Sequence, residues 1–192
     1  NTNIDNYEIS KQEGTLTVTN REAKYEITVK ANSATATYDG KEHEAVGVET
    51  YEFTVEGNSY TVSGLSTEDP KQKDAGSYTN NITGTPVVTD KEGNVVTSEF
   101  EVKTENGSLE IGKAAVTLKS ATLSKKYDGN ALVNGDTALE IEIGFAEGEG
   151  ATYNFTGSQT VVGSSANAFS YELNSNTNID NYEISKQEGT LT

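Results

Sequence analysis

The chain has 192 residues, 33% of them apolar, and carries 30 acidic against 14 basic side chains for a net charge of −16. That field repels a phosphate backbone and an anionic bilayer, so neither nucleic acid nor a membrane surface is an expected partner of this segment. With no Cys, Met or Trp, the chain can form no disulfide framework, no thioester crosslink and no Cys-ligated metal site.

The first seventeen residues, Asn1 to Thr17, recur unchanged as Asn176 to Thr192, 175 residues further on. A strand needs only its inward positions held, and here the outward ones match as well. Recent copying of a whole unit explains this, so the chain is expected to be one period of a longer array plus a short overlap. Within that overlap, residues 1–19 read as the two closing strands of a preceding repeat. Tyr7 and Ile9 alternate with polar neighbours, Gln12-Glu13-Gly14 turns, and Thr15 to Thr19 alternates again. Two strands with Tyr7, Ile9, Leu16 and Val18 on one face are marginal alone. Docking against the rest of the chain, or exchange with the identical segment of another molecule, is the expected cover.

From Lys24 the apolar positions Tyr25, Ile27 and Val29 alternate with Glu26, Thr28 and Lys30, the pattern of a half-buried strand. Ser33 to Thr37 leads into Tyr38-Asp39-Gly40, where the Asp-Gly pair suits a turn needing positive φ. Val46 to Val55, Ser59 to Gly64 and Ser77 to Thr83 read as further strands. Pro86 to Thr97 reads as a hairpin around Glu92-Gly93-Asn94, and Glu99 to Lys103 with Ser108 to Ile111 closes the unit. No stretch sustains a helical period; any helix is expected to be short, within Ser66 to Ala75.

The second half repeats this order. Ile27 to Lys30 corresponds to Val116 to Lys119, and Tyr38-Asp39-Gly40 to Tyr127-Asp128-Gly129, both 89 residues apart. Tyr60, Gly64 and Tyr78 then match Tyr153, Gly157 and Tyr171 at 93, and Phe100-Glu101-Val102 matches Tyr182-Glu183-Ile184 at 82. On this alignment the second half carries four extra residues and lacks eleven, where the first has its Pro86 to Thr97 hairpin. The expected organisation is therefore overlap 1–19, module A at 20–111 and module B at 112–192, with Gly112-Lys113 as the joint. Expected core positions are Tyr25, Ile27, Val29, Val62, Phe100, Val102 and Leu109 in A. In B they are Val116, Leu118, Phe155, Tyr171, Tyr182, Ile184 and Leu191. Each module is expected to bury its own thin core, with ten Tyr and five Phe in the chain supplying large contact areas.

The paired Tyr-Asp-Gly turns, SYTVSGLST, the DKEGNVVT hairpin and the closing NGSLEI and EGTLTVT strands together resemble the MBG/YDG-type tandem repeats of large bacterial cell-surface proteins. The resemblance covers both modules and the overlap. It implies a mainly β fold of two small strand-rich modules, β-sandwich or β-grasp-like, with little helix. It also implies a noncatalytic stalk or spacer in a Gram-positive adhesin, extracellular and attached to the cell wall, projecting a binding tip. The expected partners are neighbouring repeats of the same chain. The rival class is a glycan- or host-protein-binding module that uses an exposed Tyr-rich face.

Tyr38 and Tyr127 could stack on a sugar, but their recurrence before Asp39-Gly40 and Asp128-Gly129 favours a structural turn motif. His43, the only histidine, has no surrounding nucleophile motif, so no catalytic residue is expected. Asp128 to Asp136 and Asp90 to Asn94 lack the ligand order of a calcium loop, so neither metal nor cofactor is expected. A Lys–Asn amide crosslink would need Lys24 or Lys113 beside Asn6 or Asn181, yet Glu99 stands at the matching place in module A.

Overall fold

The computed structural model describes residues 4–19, 22–135 and 138–192. The described chain is dominated by strands, and its helical elements are single 3-10 turns at Ile4–Asn6, Thr97–Glu99 and Ile179–Asn181. None of its helices is long and apolar enough to cross a membrane. The Ser66 to Ala75 stretch is not helical: Asn58–Thr67 is a strand, and Lys71–Gln72 pairs with His43–Glu44.

Each module is built on one parallel pair between its opening and closing strands. In module A, Tyr25–Lys30 runs beside Phe100–Glu105 with Tyr25 opposite Phe100. In module B, Ala114–Lys119 runs beside Tyr182–Gln187 with Ala114 opposite Tyr182. The alternation read from the sequence sets the faces: Ile27 and Val29 point into the core, as do Val116 and Leu118. After one residue the chain re-enters as Gly107–Gly112, between Ala34–Thr37 and Gly76–Asn80. In module B, two residues after Gln187, Thr190–Leu191 pairs with Ser165–Ala166 and bridges to Leu123.

This re-entry depends on glycine. A Cβ at Gly107 would lie 2.2 Å from the Asn32 carbonyl oxygen, and one at Gly189 would lie 2.2 Å from that of Ala121. Neither contact is physically tolerable, so the backbones approach this closely only without a side chain.

Hydrogen-bond register corrects the alignment of the two modules. Leu65 faces Gly84 across a ladder as Tyr153 faces Tyr171. Asn80 donates to the Asn32 carbonyl as Asn167 donates to that of Ala121, and Leu109 faces Tyr78 as Leu191 faces Ser165. Tyr153 thus lies over Leu65, not Tyr60; Gly157 falls level with Asp69, not Gly64; and Tyr171 lies over Gly84, not Tyr78. The offset falls from 89 at Gly40/Gly129 to 88, 87 and finally 82 at Phe100/Tyr182. Module B is therefore shorter by a net one, one and five residues, instead of gaining four and losing eleven. The anchors are buried asparagines, Asn80 and Asn167, both fully inaccessible, which hold loops by backbone hydrogen bonds. Short Tyr/Gly matches on the strand surface carry no such constraint.

All the expected core positions are buried or half-buried. Their grouping differs from the expectation. One cluster, around Ile27, Val29, Val62, Val88 and Phe100, lies within module A. The other joins Tyr38, Ala45, Leu109 and Ile111 of module A to Ala114, Val116, Leu118, Phe169 and Tyr182 of module B. The modules share a core because the connector is a single residue, Lys113, between the strands ending at Gly112 and starting at Ala114. Every sheet of the described residues nevertheless lies wholly on one side of that connector.

The N-terminal overlap departs most from its reading. Ile4–Asn6 forms the same 3-10 turn as Ile179–Asn181, but residues 7–19 form no strand and are exposed throughout. Leu16 is 99% accessible, whereas its twin Leu191 is 0% accessible. Neither two strands nor a docked hairpin is present. The reason is non-local: Tyr182–Gln187 is a strand because Ala114–Lys119 binds it. Both opening strands of this chain already hold a closing strand. The 3-10 turn needs only neighbouring residues and forms in either copy.

Candidate functional site at the joint between the modules

Ala34–Thr37 delivers Tyr38 to the joint, where its N–H donates to the Gly112 carbonyl at 2.8 Å. The chain then turns at once. Gly40 has φ +79°, and the Asp39 carboxylate accepts the Lys41 N–H at 2.9 Å. That hydrogen bond, followed by one from His43, holds the Asp39 carboxyl below its usual range. The turn leaves the Tyr38 ring pointing into module B, only 4% exposed.

There it meets Tyr182 edge-on, with ring centroids 5.3 Å apart, and Phe145 packs edge-on against Tyr182 at 5.2 Å. Both hydroxyls converge on the Glu149 carboxylate: Tyr38 Oη donates to one oxygen at 2.5 Å, Tyr182 Oη to the other at 2.7 Å. Tyr182 Oη also accepts the Ala146 N–H at 3.0 Å. The Glu149 side chain is 7% exposed, and its nearest cation, Lys73 Nζ, stands 3.9 Å away. A carboxylate so removed from water needs donors of this kind, and charge-assisted hydrogen bonds from phenols are short and strong. Burial and then the hydrogen bond to Glu149 push the Tyr38 hydroxyl well above its ordinary pKa. Burial also raises that of Tyr182.

A second contact crosses the joint at Asn181, itself 1% exposed. Its Oδ1 accepts the Ala75 N–H and its Nδ2 donates to Asp74 Oδ1, both at 2.8 Å. The Asn178 side chain accepts the Asp180 N–H and caps the 3-10 turn that presents Asn181. Across the gap, a Cβ at Gly40 would come within 3.1 Å of Ala146 Cβ. Two modules are thus held by an aromatic contact, a shared buried carboxylate and a two-way amide.

Tyr127-Asp128-Gly129 makes the same turn, with Gly129 at φ +79° and Asp128 accepting the Asn130 N–H at 2.9 Å. It sits at the opposite end of module B, and Tyr127 is 67% exposed. The two Tyr-Asp-Gly motifs therefore do not form one site. His43 Nε2 lies 2.9 Å from Asp39 Oδ1 and braces the first turn. Asp90 accepts the Glu92 and Asn94 N–H groups and so closes its hairpin. Asp128 also pairs with Lys125 at 2.8 Å; Asp136, at the end of that acidic loop, lies outside the described residues. Among the described residues no group of three His, Asp or Glu side chains converges as a metal site. The amide of Asn181 is engaged by module A, not by Lys113.

Sequence reasoning missed Glu149, Asp74, Ala75 and Ala146. All four lie in polar or small-residue loops without periodicity, and only the packing of the joint brings Glu149 to Tyr38, Ala146 to Tyr182, and Asp74 and Ala75 to Asn181. A signal did exist for the buried asparagines, in the parallel Asn80-Asn81-Ile82 and Asn167-Ala168-Phe169 triplets.

Compared with models of protein families, with curated proteins and with solved structures, the chain finds no match.

Proposed function

We propose that this chain is a noncatalytic stalk segment of a repetitive bacterial surface adhesin, extracellular and wall-attached, which holds a binding tip away from the cell. The observation that carries the reading is the joint. A one-residue connector, a core shared across it and a buried Glu149 bridged to Tyr38 and Tyr182 make the doublet one stiff body. A flexible linker would let the modules tumble, whereas a spacer must keep its length. Acidic side chains, at net −16, keep adjacent copies apart. The resemblance to MBG/YDG-type repeats supports the same role.

The test is length against copy number. Tandems built on the 175-residue period, imaged by electron microscopy, should be rods whose length rises in proportion to copy number. Growth as roughly the square root of copy number, the behaviour of a flexible chain, would overturn the reading. A ligand-binding reading has one observation in its favour, the exposed Tyr127 beside an apolar recess. A Tyr127-dependent hit on a glycan array would favour it.

A further inference from the structure

The far end of module B reproduces the module A side of the joint, position by position. Tyr127 stands where Tyr38 stands. On the register fixed by Asn80/Asn167, Val161, Val162 and Gly163 occupy the places of Asp74, Ala75 and Gly76. Around them lies a recess of about 160 Å3, lined by Tyr127, Leu132, Val161, Val162, Gly163 and Thr192. Val161 and Val162 are 70% and 88% exposed. Tyr127, Val161 and Val162 thus form a contiguous exposed apolar patch beside Lys125, a candidate interaction site.

Module A shows what fills such a recess. Leu109-Glu110 matches Leu191-Thr192, and the next residue, Ile111, lies opposite both Ala36 and Gly76. Ile111 is 3% exposed. The equivalent place in module B lies between Lys125 and Gly163, directly beyond Thr192. Leu16-Thr17 is identical to Leu191-Thr192, and in this chain it continues as Val18-Thr19. Val18 is 99% exposed where it stands.

We propose that the recess is the acceptor half of a joint between repeats, and that its occupant is a second copy of this chain set head to tail, with Val18 in the place of Ile111. The inference rests on the stalk reading above and supplies its second joint. At the head of module A, Phe100 holds the position of Tyr182, but its ring is already packed against Tyr25 and Tyr60 and 4% exposed, so the matching group is Glu99. Glu99, the last residue of the 3-10 turn at Thr97–Glu99, holds the position of Asn181. Its carboxylate can accept the Val162 N–H, as Asn181 accepts that of Ala75. Tyr127 is thereby the counterpart of Tyr38, buried only once a second copy is seated.

The test is a tandem in which residues 18–192 of a second copy follow Thr192 of the first. Amide hydrogen exchange is read at Tyr127 and Thr160 to Gly163, with Ala75 at the internal joint as reference. The proposal predicts exchange at least about tenfold slower at those sites in the tandem than in the single chain. Replacing Val18 of the second copy, Val18→Asp, should abolish the protection, and Val18→Ile should keep it. Equal exchange in single chain and tandem, or unchanged protection with Val18→Asp, would overturn it. So would a glycan or unrelated protein that protects Thr160 to Gly163 of the single chain. Loss of protection at Ala75 would instead count against the stalk reading itself, which keeps the two failures apart.

Discussion

Identical residues in two environments provide a controlled experiment on what stabilises the closing strands. Leu16 and Leu191 share every neighbour within the seventeen-residue repeat, so local propensity cancels between them. Leu191 is fully buried, bridged to Leu123 and opposite Ser165; Leu16 is 99% exposed. Leu191→Ala should therefore cost about 2–5 kcal/mol, the range for a leucine removed from a packed core. Leu16→Ala should change stability by less than about 0.5 kcal/mol. For a chain of this size that corresponds to a fall in Tm of about 4–20 °C for the first variant and almost none for the second. Far-UV circular dichroism with urea and thermal melts reads both, and the double variant should match Leu191→Ala alone. Equal losses from the two single variants would refute the reasoning, because they would mean that the N-terminal copy is packed.

The same twinning extends to other positions. Gly189→Ala should destabilise by about 1–3 kcal/mol, through overpacking against the Ala121 carbonyl. Gly14→Ala should be silent, since nothing lies within 4 Å of a Cβ there; equal effects on urea midpoints would contradict this. At the joint, Tyr38→Phe takes one donor from the buried Glu149 carboxylate and should cost about 1–3 kcal/mol, with no cost at all as the contrary result. Alkaline pH gives a further check. The hydroxyls of Tyr38 and Tyr182 ionise above their unfolded value near 10.0. Their contribution is then full below that pH and is lost as pH rises through the higher folded values. Burial raises the Tyr153 hydroxyl as well, so phenolate absorbance should show a late phase from these three tyrosines, together with unfolding. Tyr38→Phe should lower the amplitude of that late phase by one tyrosine; an undiminished amplitude would contradict the assignment.

Much of the fold was legible because it is written in alternation and repetition. Tyr25, Ile27 and Val29, or Val116 and Leu118, declare one inward face each, and the 89-residue spacing aligns both Tyr-Asp-Gly turns. What failed to show depends on partners distant in sequence. Residues 7–19 have the pattern of strands but no opening strand to bind, whereas the identical Tyr182–Gln187 has Ala114–Lys119. Residue type aligns Tyr153 with Tyr60, while the register is held by Asn80 and Asn167, whose shared Asn-x-apolar triplet is too short a signal to outweigh the tyrosine matches. The joint was legible only as a short connector. That Tyr38 would share a carboxylate with Tyr182 depended on Glu149, 111 residues away in the chain.

The stiffness of the joint is the central claim, and a distance distribution across it is its most direct measure. The chain lacks cysteine, so Lys91→Cys and Glu172→Cys place one spin label on each module at exposed sites. Double electron–electron resonance should give a single narrow distance for the native joint. The distribution should broaden when Tyr38→Ala and Asn181→Ala are combined in the same chain. A broad distribution in the native protein, or a narrow one that survives the double substitution, would contradict the account.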